Sequence, residues 1–144
     1  MTTESELDKA VSVTHIGNMQ RHEHHIDWLG FGEHIRRLRE LRMGADATFS
    51  LRQVAARCGV TAAYLSRVER GEVAPPSEET LVKLAHELGE DKDVMLAMAG
   101  KISADLRSVI LARPQLFAEL IRAIKTMPDN TVLRIVREVR DGAW

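Results

Sequence analysis

The sequence predicts an all-α fold: a five-helix unit followed by a smaller helical module. Three observations predict it. Apolar residues recur at spacings of three and four from residue 31 to residue 139, the spacing of helices that each bury one stripe. Ser50, Thr61, Ser77 and Asp91 stand just ahead of such stripes, where a side-chain oxygen can accept from the first free amides of a helix. Gly59, Gly71 and Gly89, and the prolines at 75, 76, 114 and 128, punctuate the stripes where helices must stop or start.

The first stretch, residues 1–27, has no clear period and reads as a flexible arm, with a short helix near residues 4–11. Its His22-Glu23-His24-His25 run invites a metal reading. Adjacent and alternate residues rarely converge on one ion, and only His15 and His34 lie nearby, so no metal site is assigned and the run reads as solvated. A first helix is expected over residues 31–42, with Phe31, Ile35, Leu38 and Leu41 or Arg42 facing inward and Arg36, Arg37 and Arg39 on the remaining surface. Residues 43–49 form a connection in which Phe49 packs just before the cap.

Residues 50–71 organise the chain. Ser50 and Gln53 fit a capping box, and Leu51, Val54, Ala55 and Cys58 fall on one face. Gly59 supplies a left-handed residue, Val60 plugs the corner, and Thr61 caps a second helix over 62–70 with Leu65 and Val68 inward. Gly71 closes it. Two helices joined by a Gly-containing turn are a helix-turn-helix layout. Pro75-Pro76 then breaks the chain, and Ser77 caps a helix with Glu78 and Glu79 in its first turn. That helix buries Leu81, Leu84, Ala85 and Leu88. Asp91 caps a fifth helix, Lys92–Met98, whose Val94, Met95 and Met98 are expected to close the core, and Gly100 marks the boundary.

Val54-Ala55, Gly59-Val60-Thr61, Tyr64-Leu65-Ser66 and Glu69-Arg70-Gly71, continued through Pro75 and the helix up to Gly89, resemble the signature of the Cro/lambda-repressor, or XRE, family of regulators. The resemblance covers roughly the middle half of the chain, from Phe31, and rests on order and spacing together. It implies a lambda-repressor-like DNA-binding domain over 28–100, and a buried pair between Arg39 and Glu69. It also implies double-stranded DNA as partner, with the first turn of the 62–70 helix in the major groove. Ala62, Ala63 and Arg67 match base-reading positions. The alanines can offer methyl contacts, and Arg67 can fork onto guanine. Thr61, Tyr64 and Ser66 carry hydroxyls suited to phosphates. Arg70, Arg37, Ser50 and Arg52 complete the expected DNA-binding set, with Arg42 a further candidate for phosphate. Two departures stand out. The 43–49 connection is longer than usual, and Leu51 replaces a common Gln, which removes one phosphate anchor.

Charge supports a polyanion partner. Formal net charge is only -1, but residues 31–75 hold eight arginines against five acids, a net of +3, while residues 1–30 are net -3. All the basic residues of that block are Arg, the better side chain for forked contacts. Cys58, the single cysteine, excludes an intramolecular disulfide and reads as a small core residue. Neither a long apolar run nor a signal peptide is visible, so no membrane association and a cytoplasmic location are expected. No phosphate-cradling Gly loop, Ser/His/Asp order or paired carboxylates point to an enzyme or a cofactor.

Residues 101–144 carry three further stripes. Ile102, Leu106, Val109 and Ile110 form one. Leu116, Phe117, Leu120, Ile121 and Ile124 form another after Pro114, and Val132, Ile135, Val136 and Val139 form the third. Three short helices bury so much apolar surface poorly alone. A homodimerisation module solves this, with Leu116, Phe117, Leu120, Ile121, Ile124, Val136, Val139 and Trp144 at the interface. It also pairs two DNA half-sites. The expected function is a dimeric, sequence-specific transcriptional regulator that represses by occluding a promoter. Two alternatives stay open. One is an antitoxin that neutralises a protein toxin and autoregulates its operon; the other is a repressor inactivated by a partner metallopeptidase.

Overall fold

The computed structural model describes residues 26–142. The expectations for the arm with its His run, and for Trp144, fall outside the described residues. Those described residues form eight α-helices, one short 3-10 turn and no strand, so the all-α expectation holds. The helices are α1 (Trp28–Met43), α2 (Leu51–Arg57), α3 (Ala62–Glu69), α4 (Glu78–Leu88), α5 (Lys92–Met98), α6 (Ala104–Ala112), α7 (Pro114–Ile124) and α8 (Asp129–Asp141), with the 3-10 turn Ala47–Phe49 between α1 and α2. They divide into two compact units, one up to residue 102 and one from residue 103.

In the first unit every helix contributes to one core. Phe31 and Ile35 come from α1, Val54 and Ala55 from α2, and Leu65 and Val68 from α3. Leu81, Leu84, Ala85 and Leu88 come from α4, and Met95 and Leu96 from α5, with Cys58 and Ala99 just beyond two helix ends. Caps set the helix starts. Ser50, Thr61, Ser77 and Asp91 each accept a backbone N–H two or three residues on, as their sequence positions predict.

Four details differ from the sequence reading. Helix α1 begins at Trp28, because the Asp27 carboxylate accepts from the Gly30 amide at 2.8 Å and caps it early. Leu41 is 71% exposed; the stripe Phe31–Ile35 continues to Arg39, whose charge is matched from α3. In α5 the inward residues are Met95 and Leu96, followed by Ala99, while Val94 and Met98 are exposed. That helix is apolar nearly all round over two turns, so packing on α4 chooses its phase. The capping box at Ser50 is half made. Ser50 Oγ accepts from Gln53 N, but the Ser50 amide donates to Ala47 O of the 3-10 turn instead of to Gln53.

Two glycines fix where α3 sits. A Cβ on Gly32 of α1 would lie 2.3 Å from Val68 O and 2.6 Å from Glu69 O, so α1 and the end of α3 touch backbone to backbone. Gly71, at φ +69, ends α3 in the left-handed region, and a Cβ there would strike the Leu29 backbone at 2.7 Å.

The second unit has no such core. Helices α6, α7 and α8 contain no buried residue. Pro114 occupies the first position of α7, which needs no amide donor there. Leu116, Leu120 and Ile121 of α7 are exposed, as are Leu133, Val136 and Val139 of α8. Phe117 and Ile124 are half-buried.

Candidate nucleic-acid interface

The α2–α3 pair presents one outward face. Leu65, Val68 and Glu69 turn α3 inward, which leaves Ala63, Arg67 and Arg70 exposed on the opposite side, flanked by half-buried Ser66 and Tyr64. Ala62 and Tyr64 pack against the core, so of the two alanines Ala63 is the one left open. Thr61 Oγ1 accepts from Tyr64 N at 3.1 Å and keeps its own O–H to donate. Ser50 stands in the same relation to α2. The amides at both helix starts carry partial positive charge suited to anions.

The orientation of α3 is locked electrostatically as well as by packing. Arg39 Nε donates to Glu69 Oε1 at 2.7 Å and Arg39 Nη2 to Glu69 Oε2 at 3.0 Å, a forked pair with both side chains buried. Arg39 also reaches the Phe49 carbonyl at 3.4 Å. The α1 helix, the 3-10 turn and the C-terminal end of α3 are thereby joined at one guanidinium.

The other arginines divide into engaged and disengaged groups. Arg36 donates to Glu40 at 2.8 Å on the surface of α1. The hydrogen bond holds the Glu40 carboxyl below its usual range and raises the guanidinium pKa. Arg57 donates to Glu87 at 2.6 Å and to the Thr48 carbonyl at 2.7 Å. Arg57 and Arg42 both lie over the Phe49 ring, 5.1 and 5.4 Å from its centroid. Arg42 also covers Gly89 at the end of α4, where a Cβ would collide with its guanidinium. Arg70 pairs with Glu72 at 3.2 Å on the surface. Arg37 approaches His34 Nδ1 at 3.1 Å, while His34 Nε2 faces Glu90 at 3.1 Å. Arg52 and Arg67 are exposed and make no side-chain ion pair or hydrogen bond among the described residues.

The sequence pattern therefore collected more phosphate candidates than the structure leaves open. Arg42 packs on Phe49 and Gly89, and Arg37 and Arg70 already have neighbours, though exposed ones. The Arg42–Phe49–Arg57 cluster was missed, because its members come from α1, the intervening turn and α2. An aromatic in a connection flanked by arginines was the available signal. Within the 3-10 turn, the Thr48 hydroxyl and amide bond the Asp46 carboxylate and hold its pKa below the usual range. Among the described residues, no group of three or more His, Cys, Asp and Glu side chains is placed to hold a metal ion. No helix there is long and apolar enough to cross a membrane.

Residues 31–98 match the family model described as a helix-turn-helix domain. No curated protein and no solved structure matches the chain.

Proposed function

We propose, from the match of residues 31–98 to the helix-turn-helix domain model, that the chain is a sequence-specific, double-stranded-DNA-binding transcriptional repressor of the XRE type that acts as a homodimer. The observation that carries the reading is the outward face of α3. Its base-reading candidates are Ala63 and Arg67, and Arg67 has no internal side-chain partner to give up before it contacts DNA. Arg52, Thr61 and Ser50 at the starts of α2 and α3 are the phosphate contacts, joined by Arg37, Tyr64, Ser66 and Arg70, with Ala62 contributing at the edge of the groove. Two-fold pairing through residues 103–142 doubles this short contact into an inverted repeat. Exposed Leu116, Leu120, Ile121, Val136 and Val139 favour that pairing. A toxin or peptidase bound to the same helices is the competing role. The neighbouring gene separates these readings: a small toxin, a metallopeptidase, or neither.

The first test is the salt dependence of binding to duplex DNA. Each neutralised phosphate contributes a slope of about -0.9 in log affinity against log salt. Roughly two to four contacts per protomer are expected, drawn first from Arg52, Arg37 and Arg70. Affinity indifferent to salt would contradict the proposal.

A further inference from the structure

Helix α8 carries its charges in a pattern that selects its partner. Leu133, Val136 and Val139 are 54%, 50% and 59% exposed. At about 100° per residue they share one side of the helix, and Asp129 and Arg140 fall between Leu133 and Val136 on that same side. One exposed apolar line therefore has an acid at its N-terminal end and a base at its C-terminal end. Asp129 and Arg140 are about three turns, or about 16 Å, apart along the helix, too far to pair with each other.

We propose that α8 pairs antiparallel with the α8 of a second copy of this chain, across a two-fold between Arg134 and Ile135. Asp129 of each copy then meets Arg140 of the other. This rests on the reading of residues 103–142 as a homodimerisation module and specifies its geometry. In that same register Leu133 of each copy meets Val136 of the other. Parallel pairing would instead set Asp129 against Asp129 and Arg140 against Arg140, both repulsive. Helix α7 does not offer the same match. Its exposed Leu116, Leu120 and Ile121 lie between Arg113 and Lys125, bases at both ends, so antiparallel self-pairing there meets like charges. In the single chain Arg140 bonds its exposed neighbour Asp141 at 2.9 Å, a contact with little to lose in exchange.

Both charges also suit the helix dipole, an acid in the first turn and a base in the last. That effect is additive between the two sites, whereas pairing across a dimer is not. The test is sedimentation equilibrium on the full chain, on Asp129→Lys, on Arg140→Glu and on the double variant. Each single reversal should raise the dimer dissociation constant about tenfold, and the double should return within about threefold of the unaltered chain. Single effects that merely multiply in the double variant overturn the antiparallel pairing while leaving a dimer. An unaltered chain that is monomeric overturns the dimer reading itself. A second readout covers variants that weaken the helix. Leu133→Cys and Val136→Cys chains, mixed and oxidised, should give the mixed disulfide in preference to either self-disulfide; preferred self-disulfides overturn the proposal.

Discussion

At the scale of single residues, the Arg39–Glu69 pair and the Cys58 thiol carry the clearest consequences. Both partners of the ion pair are buried, so removing one leaves a charge without water or counter-charge. Arg39→Ala should lower stability by about 3–5 kcal/mol, and replacing both residues with apolar ones of similar size should cost much less. A double-mutant cycle in denaturant measures both. Cys58 is sealed in the core, and desolvation, reinforced by the Glu87 carboxylate, pushes its thiol up from 9.0 to about 11. The folded state therefore holds this proton more tightly than the unfolded chain. Its contribution is full below pH 9 and is lost as pH rises toward about 11. Relative to a Cys58→Ala variant, the protein should lose stability across that window, and thiol reagents should label Cys58 only on unfolding. The caps at Ser50, Thr61, Ser77 and Asp91 were legible in the sequence because each is a contact within two or three residues. The Arg39–Glu69 pair, thirty residues apart, was visible only through the family resemblance.

At the scale of elements, the position of α3 depends on a close crossing and a stacked cluster. Gly32→Ala places a methyl against the carbonyls of Val68 and Glu69, which are backbone and cannot rotate away. Helix α1 must shift, at about 1–3 kcal/mol, and DNA affinity should fall with it because α3 is displaced. Chemical denaturation and binding of the same variant check both. Phe49→Ala frees Arg42 and Arg57 from the ring they share, and a loss of about 2 kcal/mol is expected from packing and two cation–π contacts. The phase of α5 escaped the sequence because five successive apolar residues, 94–98, fit more than one inward face. The early start of α1 escaped because Asp27 was counted with the arm and not as a cap.

At the scale of the whole molecule, the two units differ in how they satisfy their apolar surface. The first closes its core with Ala99. A chain ending at residue 102 should fold cooperatively, be monomeric, and bind an inverted repeat on the order of a hundredfold more weakly, since the second half-site no longer benefits from linkage. Thermal unfolding and a binding titration decide it, and a truncated chain that still sediments as a dimer would move the interface into the first unit. The amphipathic stripes of residues 103–142 were plain in the sequence. Their lack of burial was not, because burial depends on what a stripe meets.

The central claim is that the exposed face of α3 reads bases, with Arg67 as its main polar contact. Selection of bound duplexes from a random pool, run on the unaltered chain and on Arg67→Ala, tests it directly. The unaltered chain should enrich an inverted repeat. The variant should tolerate any base at one position per half-site, with about 1–3 kcal/mol of discrimination lost there and non-specific binding little changed. A variant that enriched the same repeat, undiminished at every position, would contradict the account.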